Sequence, residues 1–172
     1  EGRSTEILRT VDKLQKVGAE TMREMLREMT GSVETESIVR FITPSDDFQK
    51  TLAGITEEAG GEAEDTERLA AIKSIIDELA LAERFVLDPS ITRGLDYYTG
   101  IVFETYLEKA PHLGSICSGG RYNNLTSLYT KQRMPGVGSS IGLDRLFTAM
   151  EELGLIDPAG DECGVLILCM DE

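Results

Sequence analysis

The hydrophobic period of this chain changes after Glu83, and that change calls for a fold built from two kinds of element. Before it, apolar residues recur at helical spacing: Ile7, Leu8, Val11, Leu14 and Val17, then Met22, Met25, Leu26 and Met29. The spacing predicts a first helix capped by Ser4 and ended by Gly18, and a second stopped by Gly31. A third starts in Thr43–Pro44–Ser45–Asp46–Asp47 and runs to about Glu58. After a solvated loop at Gly60–Gly61, a fourth opens at Thr66 and turns Leu69, Ile72, Ile75, Ile76, Leu79 and Ala80 inward.

Beyond Glu83 the runs are short and rich in β-branched and aromatic residues. Phe85–Val86–Leu87 reads as a buried strand ended by Asp88–Pro89. Tyr98 to Leu107 is the strongest strand, turned by Pro111 to Gly114 into an antiparallel return at Ser115–Ser118. Tyr122 to Tyr129 is expected as a short helix, and Pro135 to Ile141 as a small-residue strand. A helix from Leu143 to Leu153 follows, with Leu143, Leu146, Phe147, Met150 and Leu153 on its inner stripe and Gly154 closing it. Val165 to Cys169 reads as a last strand. Helices followed by antiparallel strands make the fold α+β, a helical module preceding a sheet.

The charge is uneven. Residues 1–83 carry 19 acids against 10 bases, while residues 84–160 carry 8 against 7, within a net charge of −14. That acidity argues against phosphate-backbone binding over the whole surface, yet it leaves room for a local basic groove in the second half. The three cysteines, Cys117, Cys163 and Cys169, sit at unrelated spacings, with no CxxC and His112 as the single histidine. Reduced thiols in the cytosol and no zinc site are expected. His112, beside Pro111 and Gly114, reads as a solvated loop residue. No apolar run approaches a membrane span. The chain starts at Glu1 with neither a methionine nor a leader, the expectation for a piece excised from a longer protein.

Three segments carry the chemistry, each with an arginine beside glycine. Arg93–Gly94–Leu95–Asp96–Tyr97–Tyr98 joins a planar five-donor cation to two phenolic rings. Ser118–Gly119–Gly120–Arg121–Tyr122 ends a strand with glycines that let backbone approach a ligand closely. In the third, Gly136, Gly138 and Gly142 precede Asp144 and Arg145, placing an arginine in the first turn of a helix, where free N–H groups and positive potential favour phosphate. The glycine spacing is neither the dinucleotide fingerprint nor a P-loop. Two readings stand. Arg93 pairs with Asp96 on a strand surface beside ordinary sheet aromatics, or the three segments converge on an anion or nucleotide pocket.

The run Arg-Gly-Leu-Asp-Tyr-Tyr-Thr-Gly-Ile-Val-Phe-Glu at 93–104 resembles the histidine-specific motif of the histidyl-tRNA synthetases. Ser-Gly-Gly-Arg-Tyr at 118–122 and the stretch 136–146 ending Gly-Leu-Asp-Arg-Leu resemble the family's next strand and its motif 3, in the family's order. The resemblance implies part of the class II synthetase antiparallel sheet with flanking helices at 84–160. It implies a helical insertion domain at 1–83 and the start of an anticodon-binding domain at 161–172. It also implies histidine activation by ATP with Mg²⁺, then transfer to tRNA(His), in a cytoplasmic homodimer. Arg93 would meet the α-phosphate as the catalytic cation. Tyr97, Tyr98, Gly119 and Gly120 would bind histidine, and Gly142 and Arg145, with Arg93, would bind ATP.

Departures from the family pattern are Asn123 for a common aspartate, Ser139–Ser140 for Phe-Ala and Asp144 for a frequent glutamate. Motifs 1 and 2 are absent from these residues, so the chain by itself is expected to be inactive. The alternatives are the synthetase-like regulatory subunit of ATP phosphoribosyltransferase and a non-catalytic, tRNA-sensing synthetase-like module.

Overall fold

The structure is a computed structural model that describes residues 2–61, 64–94, 98–124, 127, 129–132 and 134–156. The α+β class expected from the change of period is the one found, with helices first and a three-stranded antiparallel sheet after them. The expected strand at Val165 to Cys169 lies outside the described residues. The chain forms two compact units, Glu1–Val102 with Arg121–Gly136, and Phe103–Gly120 with Val137–Glu172.

Among the described residues the first unit holds six α-helices: α1 Gly2–Val11, α2 Leu14–Val17, α3 Ala19–Thr30, α4 Ser32–Ile42, α5 Phe48–Glu58 and α6 Glu64–Glu78. Its core is Val11, Met22, Leu26 and Ile42, with Ile7, Leu14, Val17, Ile38 and Val39 packed against it. Helix α3 touches α1, α2 and α4, and the chain then passes through α5 to α6 by neighbouring contacts. Gly18 and Gly31 take φ of 82° and 92°, values only glycine adopts cheaply, and so separate α2, α3 and α4. Asp47 caps α5 by accepting the Lys50 amide at 2.9 Å.

Several expectations are corrected here. Ser4 is not a cap: it lies inside α1, which begins at Gly2. The first helix does not run unbroken to Gly18, because it stops at Val11 and resumes at Leu14. At the break the Lys13 amide closes a tighter turn onto the Thr10 carbonyl at 3.2 Å, and the buried Thr10 hydroxyl bonds back to the Glu6 carbonyl at 2.9 Å. Residues 32–42, given no element above, form α4. Helix α6 starts two residues before Thr66 and buries only Thr66 and Ile76, leaving Ile75, and Leu79 just past its end, more than half exposed. Phe85–Val86–Leu87 is not a strand, and Val86 is 75% exposed. A strand needs a partner for its amides, and among the described residues these have none of the sheet beside them.

The sheet order is β1 (Val102–Tyr106), β2 (Ser115–Tyr122), β3 (Gly136–Ile141). The connection between β1 and β2, too short for a crossover, requires antiparallel pairing. It contains the expected turn, a 3₁₀ segment at Pro111–Leu113 ended by Gly114 at φ 71°. There His112 does not simply face solvent: its Nε2 lies 2.9 Å from Glu152 Oε2. The return strand is longer than expected, and Tyr122 belongs to it rather than to a helix. Helix α7, Leu143–Glu152, follows β3 after one residue and ends as expected before Gly154, φ 65°. Its stripe is not all inward: Ala149 is buried, whereas Leu143 and Phe147 are more than half exposed.

Candidate functional site

In the second unit the chain builds a cavity where β2, the end of β3 and the first turn of α7 meet. It has a volume of ≈ 290 Å³ and is bordered by Ser115 to Ser118, Ser140 and Gly142 to Arg145. The Gly142 amide donates to the Ile116 carbonyl at 2.8 Å, which seats the start of α7 against β2. Arg145 Nη1 donates to the Ser115 carbonyl at 2.8 Å, holding the guanidinium over the same strand. The helix N-terminus adds unpaired N–H groups and positive potential. Backbone edges, a helix start and an arginine make a surface suited to an anionic, hydrogen-bonding ligand.

Two glycines in this region are glycine for different reasons. A methyl built on Gly119 would run into the Gly138 carbonyl, the Phe103 ring and the Ser139 backbone, so sheet packing alone requires glycine there. At Gly142 φ is an ordinary −76°, and a methyl would meet nothing nearer than the Ile116 carbonyl at 3.6 Å. Nothing in the described chain demands glycine at 142. Gly120 lies beside Gly119, and both are buried. The second and third sequence segments are thus brought together.

The first segment belongs to the first unit. Arg93 and Gly94 sit in a turn, not on a strand, and Gly94 takes φ 71° with the Tyr98 ring packed so closely that no side chain would fit. The Tyr98 amide donates to the Gly94 carbonyl at 2.9 Å. Tyr97 and Asp96 lie outside the described residues, so the Arg93–Asp96 pairing is not described. Arg93 Nε lies 3.4 Å from Asp12 Oδ1. The sequence reading missed Asp12, although an acid just past the end of α1, where the helix dipole is negative, signals a cationic partner.

Arg121 packs its methylenes against Gly100 and donates Nε to Asn123 Oδ1 at 3.2 Å. The amide oxygen of Asn123 thus accepts the bond an aspartate would accept. Its backbone N–H donates to Thr99 Oγ1 at 2.9 Å. Among the described residues, no three His, Cys, Asp or Glu come together as a metal cage. No described helix is long and apolar enough to cross a membrane.

A family model described as Histidyl-tRNA synthetase matches residues 4–146. The histidine–tRNA ligase of Treponema denticola is 48% identical over 157 residues, covering 88% of this chain and 35% of that protein. That of Rhodopirellula baltica is 40% identical over 176 residues, covering 99% of this chain and 40% of that protein. The chain therefore spans well under half the length of these curated relatives. Among solved structures, histidyl-tRNA synthetase from Nostoc sp. PCC 7120 superposes with a TM-score of 0.81 at 32% identity, over 91% of this chain and 38% of that one. A protein from Bacillus halodurans titled ATP phosphoribosyltransferase regulatory subunit/histidyl-tRNA synthetase gives 0.67 at 23% identity, covering 87% of this chain and 38% of that one, a likeness of fold alone.

Proposed function

The chain belongs to the histidyl-tRNA synthetase family, and from that premise we propose that it is the part of a histidine–tRNA ligase that binds ATP and histidine for adenylation. In that reaction the histidine carboxylate attacks the α-phosphorus of ATP and pyrophosphate leaves. The histidyl group then passes from the adenylate to the 3′ end of tRNA(His). The observation that carries the reading is the cavity at the start of α7, where Arg145 and the β2 backbone line a surface shaped for an anion.

In this proposal Arg145 and Gly142 hold ATP. Gly142 supports the reading because the fold itself leaves room for a larger residue there, so close approach of a ligand supplies the reason for glycine. Arg93 meets the α-phosphate and stabilises the charge that gathers on it, a role that needs no proton transfer. Tyr97 and Tyr98 line the histidine pocket, with Gly119 and Gly120 beneath it. Mg²⁺ enters bound to the triphosphate, in keeping with an ion that prefers substrate phosphates and water to an all-protein cage. The class II assignment, the cytoplasmic homodimer and the limits 1–83, 84–160 and 161–172 for insertion, catalytic and anticodon-binding parts belong to the same proposal. The regulatory-subunit alternative rests on likeness of fold, and no observation favours it.

The test is histidine-dependent exchange of pyrophosphate into ATP by the full-length protein that carries this chain. Exchange that requires histidine supports the ligase reading. ATP binding without exchange assigns the chain to a non-catalytic, synthetase-like module instead.

A further inference from the structure

We propose that Asp12, just past the end of α1, is a positioning residue that aims the Arg93 guanidinium; this rests on the reading of Arg93 as the α-phosphate contact. Two bonds seat the segment before Gly94 on that helix end, although more than 80 residues separate them along the chain. Thr92 Oγ1 donates to the Leu8 carbonyl at 3.0 Å, and Arg93 Nε lies 3.4 Å from Asp12 Oδ1. The Leu8 carbonyl also accepts the Asp12 amide at 2.9 Å. One carbonyl oxygen thus anchors both the residue that carries the acid and the residue next to the arginine. Around this anchor, Leu8 and Val11 of α1, Phe41 of α4, Pro89 and Thr92 border an apolar hollow of ≈ 290 Å³.

The chemistry favours orientation over stability as the consequence. The two side chains are 48% and 45% exposed, and a pair so solvated adds little to folding. The same pair acts on a long, rotamer-rich side chain whose use depends on where its planar fork points. Asp12 engages the Nε edge, while phosphate is recognised by paired N–H donors of the fork. The negative end of α1 strengthens the hold on a cation at this place. Loss of the Asp12 carboxylate removes one restraint on the guanidinium, and the competent fraction falls as other rotamers fill. The helical part of the chain then sets the aim of a residue in the histidine motif.

The experiment uses the full-length protein with Asp12→Asn, Asp12→Glu and Thr92→Val. The expected result for Asp12→Asn is a kcat for pyrophosphate exchange lower by about three- to tenfold, with KM for histidine and the unfolding midpoint unchanged. Asp12→Glu, which keeps the charge, retains most of the rate, and Thr92→Val lowers it in the same sense. In an Arg93→Ala background, Asp12→Asn has no further effect. An Asp12→Asn enzyme with unchanged or raised kcat overturns the proposal, as does an equal loss in the Arg93→Ala background. An inert Asp12→Asn beside a crippled Arg93→Ala removes this inference alone; an unaffected Arg93→Ala removes the α-phosphate reading with it.

Discussion

Arg145 donates from Nη1 to the Ser115 carbonyl at 2.8 Å, so the first turn of α7 is tied to the first residue of β2 and the arginine stands at the mouth of the cavity between them. The bond uses one of five N–H groups of the guanidinium. Arg145→Ala in the full-length protein removes a charged contact worth about 1.5–3 kcal/mol, which raises KM for ATP by roughly ten- to a hundredfold. KM for histidine stays near its original value. Steady-state exchange kinetics with each substrate varied in turn check this, and an unchanged KM for ATP removes Arg145 from the ATP site.

Arg93→Ala is expected to raise the adenylation barrier by about 2–4 kcal/mol, as loss of a donor aimed at developing charge does elsewhere. Arg93→Lys recovers only part of it, because a point charge does not reproduce the planar fork. Single-turnover formation of histidyl-adenylate reads the effect directly.

Gly119→Ala and Gly142→Ala separate a glycine that sheet packing requires from one that only a bound ligand would require. At 119 the added methyl collides with the Gly138 carbonyl and the Phe103 ring, and the expected loss of stability is about 1–3 kcal/mol. At 142 it meets no close neighbour, and stability stays within about 0.5 kcal/mol while ATP binding weakens. Thermal unfolding beside ATP titration distinguishes them.

Leu26 is fully buried between α1, α3 and α4, and its truncation to alanine should destabilise the helical unit by about 2–5 kcal/mol. Chemical denaturation followed by circular dichroism measures it. A loss below one kcal/mol would mean that this core is not packed as described.

The loop before α5 supplies a pH-dependent case. The Ser45 hydroxyl, bonded to Asp46 Oδ1 at 3.1 Å, and then the charge of Lys50 hold the Asp46 carboxyl below its usual range. A folded pKa below the unfolded one means a contribution present above the unfolded value and lost as pH falls through the folded one. An NMR titration should find the Asp46 midpoint lowered, and Ser45→Ala should move it upward.

The elements readable in advance were those whose signal is local. Gly18 and Gly31 end helices because their backbone must turn left-handed, and Asp47 caps α5 with its own side chain. The α7 boundaries and the turn before β2 follow from proline and glycine placement. Helix α4 carries such a signal too, in Ile38, Val39 and Ile42 on one face. What failed was the assumption that an apolar face is a buried one. Ile75, Leu79, Phe85, Val86 and Phe147 look like core residues and are exposed in this chain, which covers 35–40% of the length of its relatives. A sequence states which surfaces need cover without saying what covers them.

Sequence alone determined the class of fold and the family, because period, turn residues and motif order are properties of the chain taken a few residues at a time. Tertiary structure alone decided that Arg145 reaches the Ser115 carbonyl, that Gly119 is required by a neighbouring strand, and that Asp12 faces Arg93 from another element. Those are contacts between residues far apart along the chain. They depend on how helices and strands pack, and no local pattern encodes the distance between two side chains that only packing brings together.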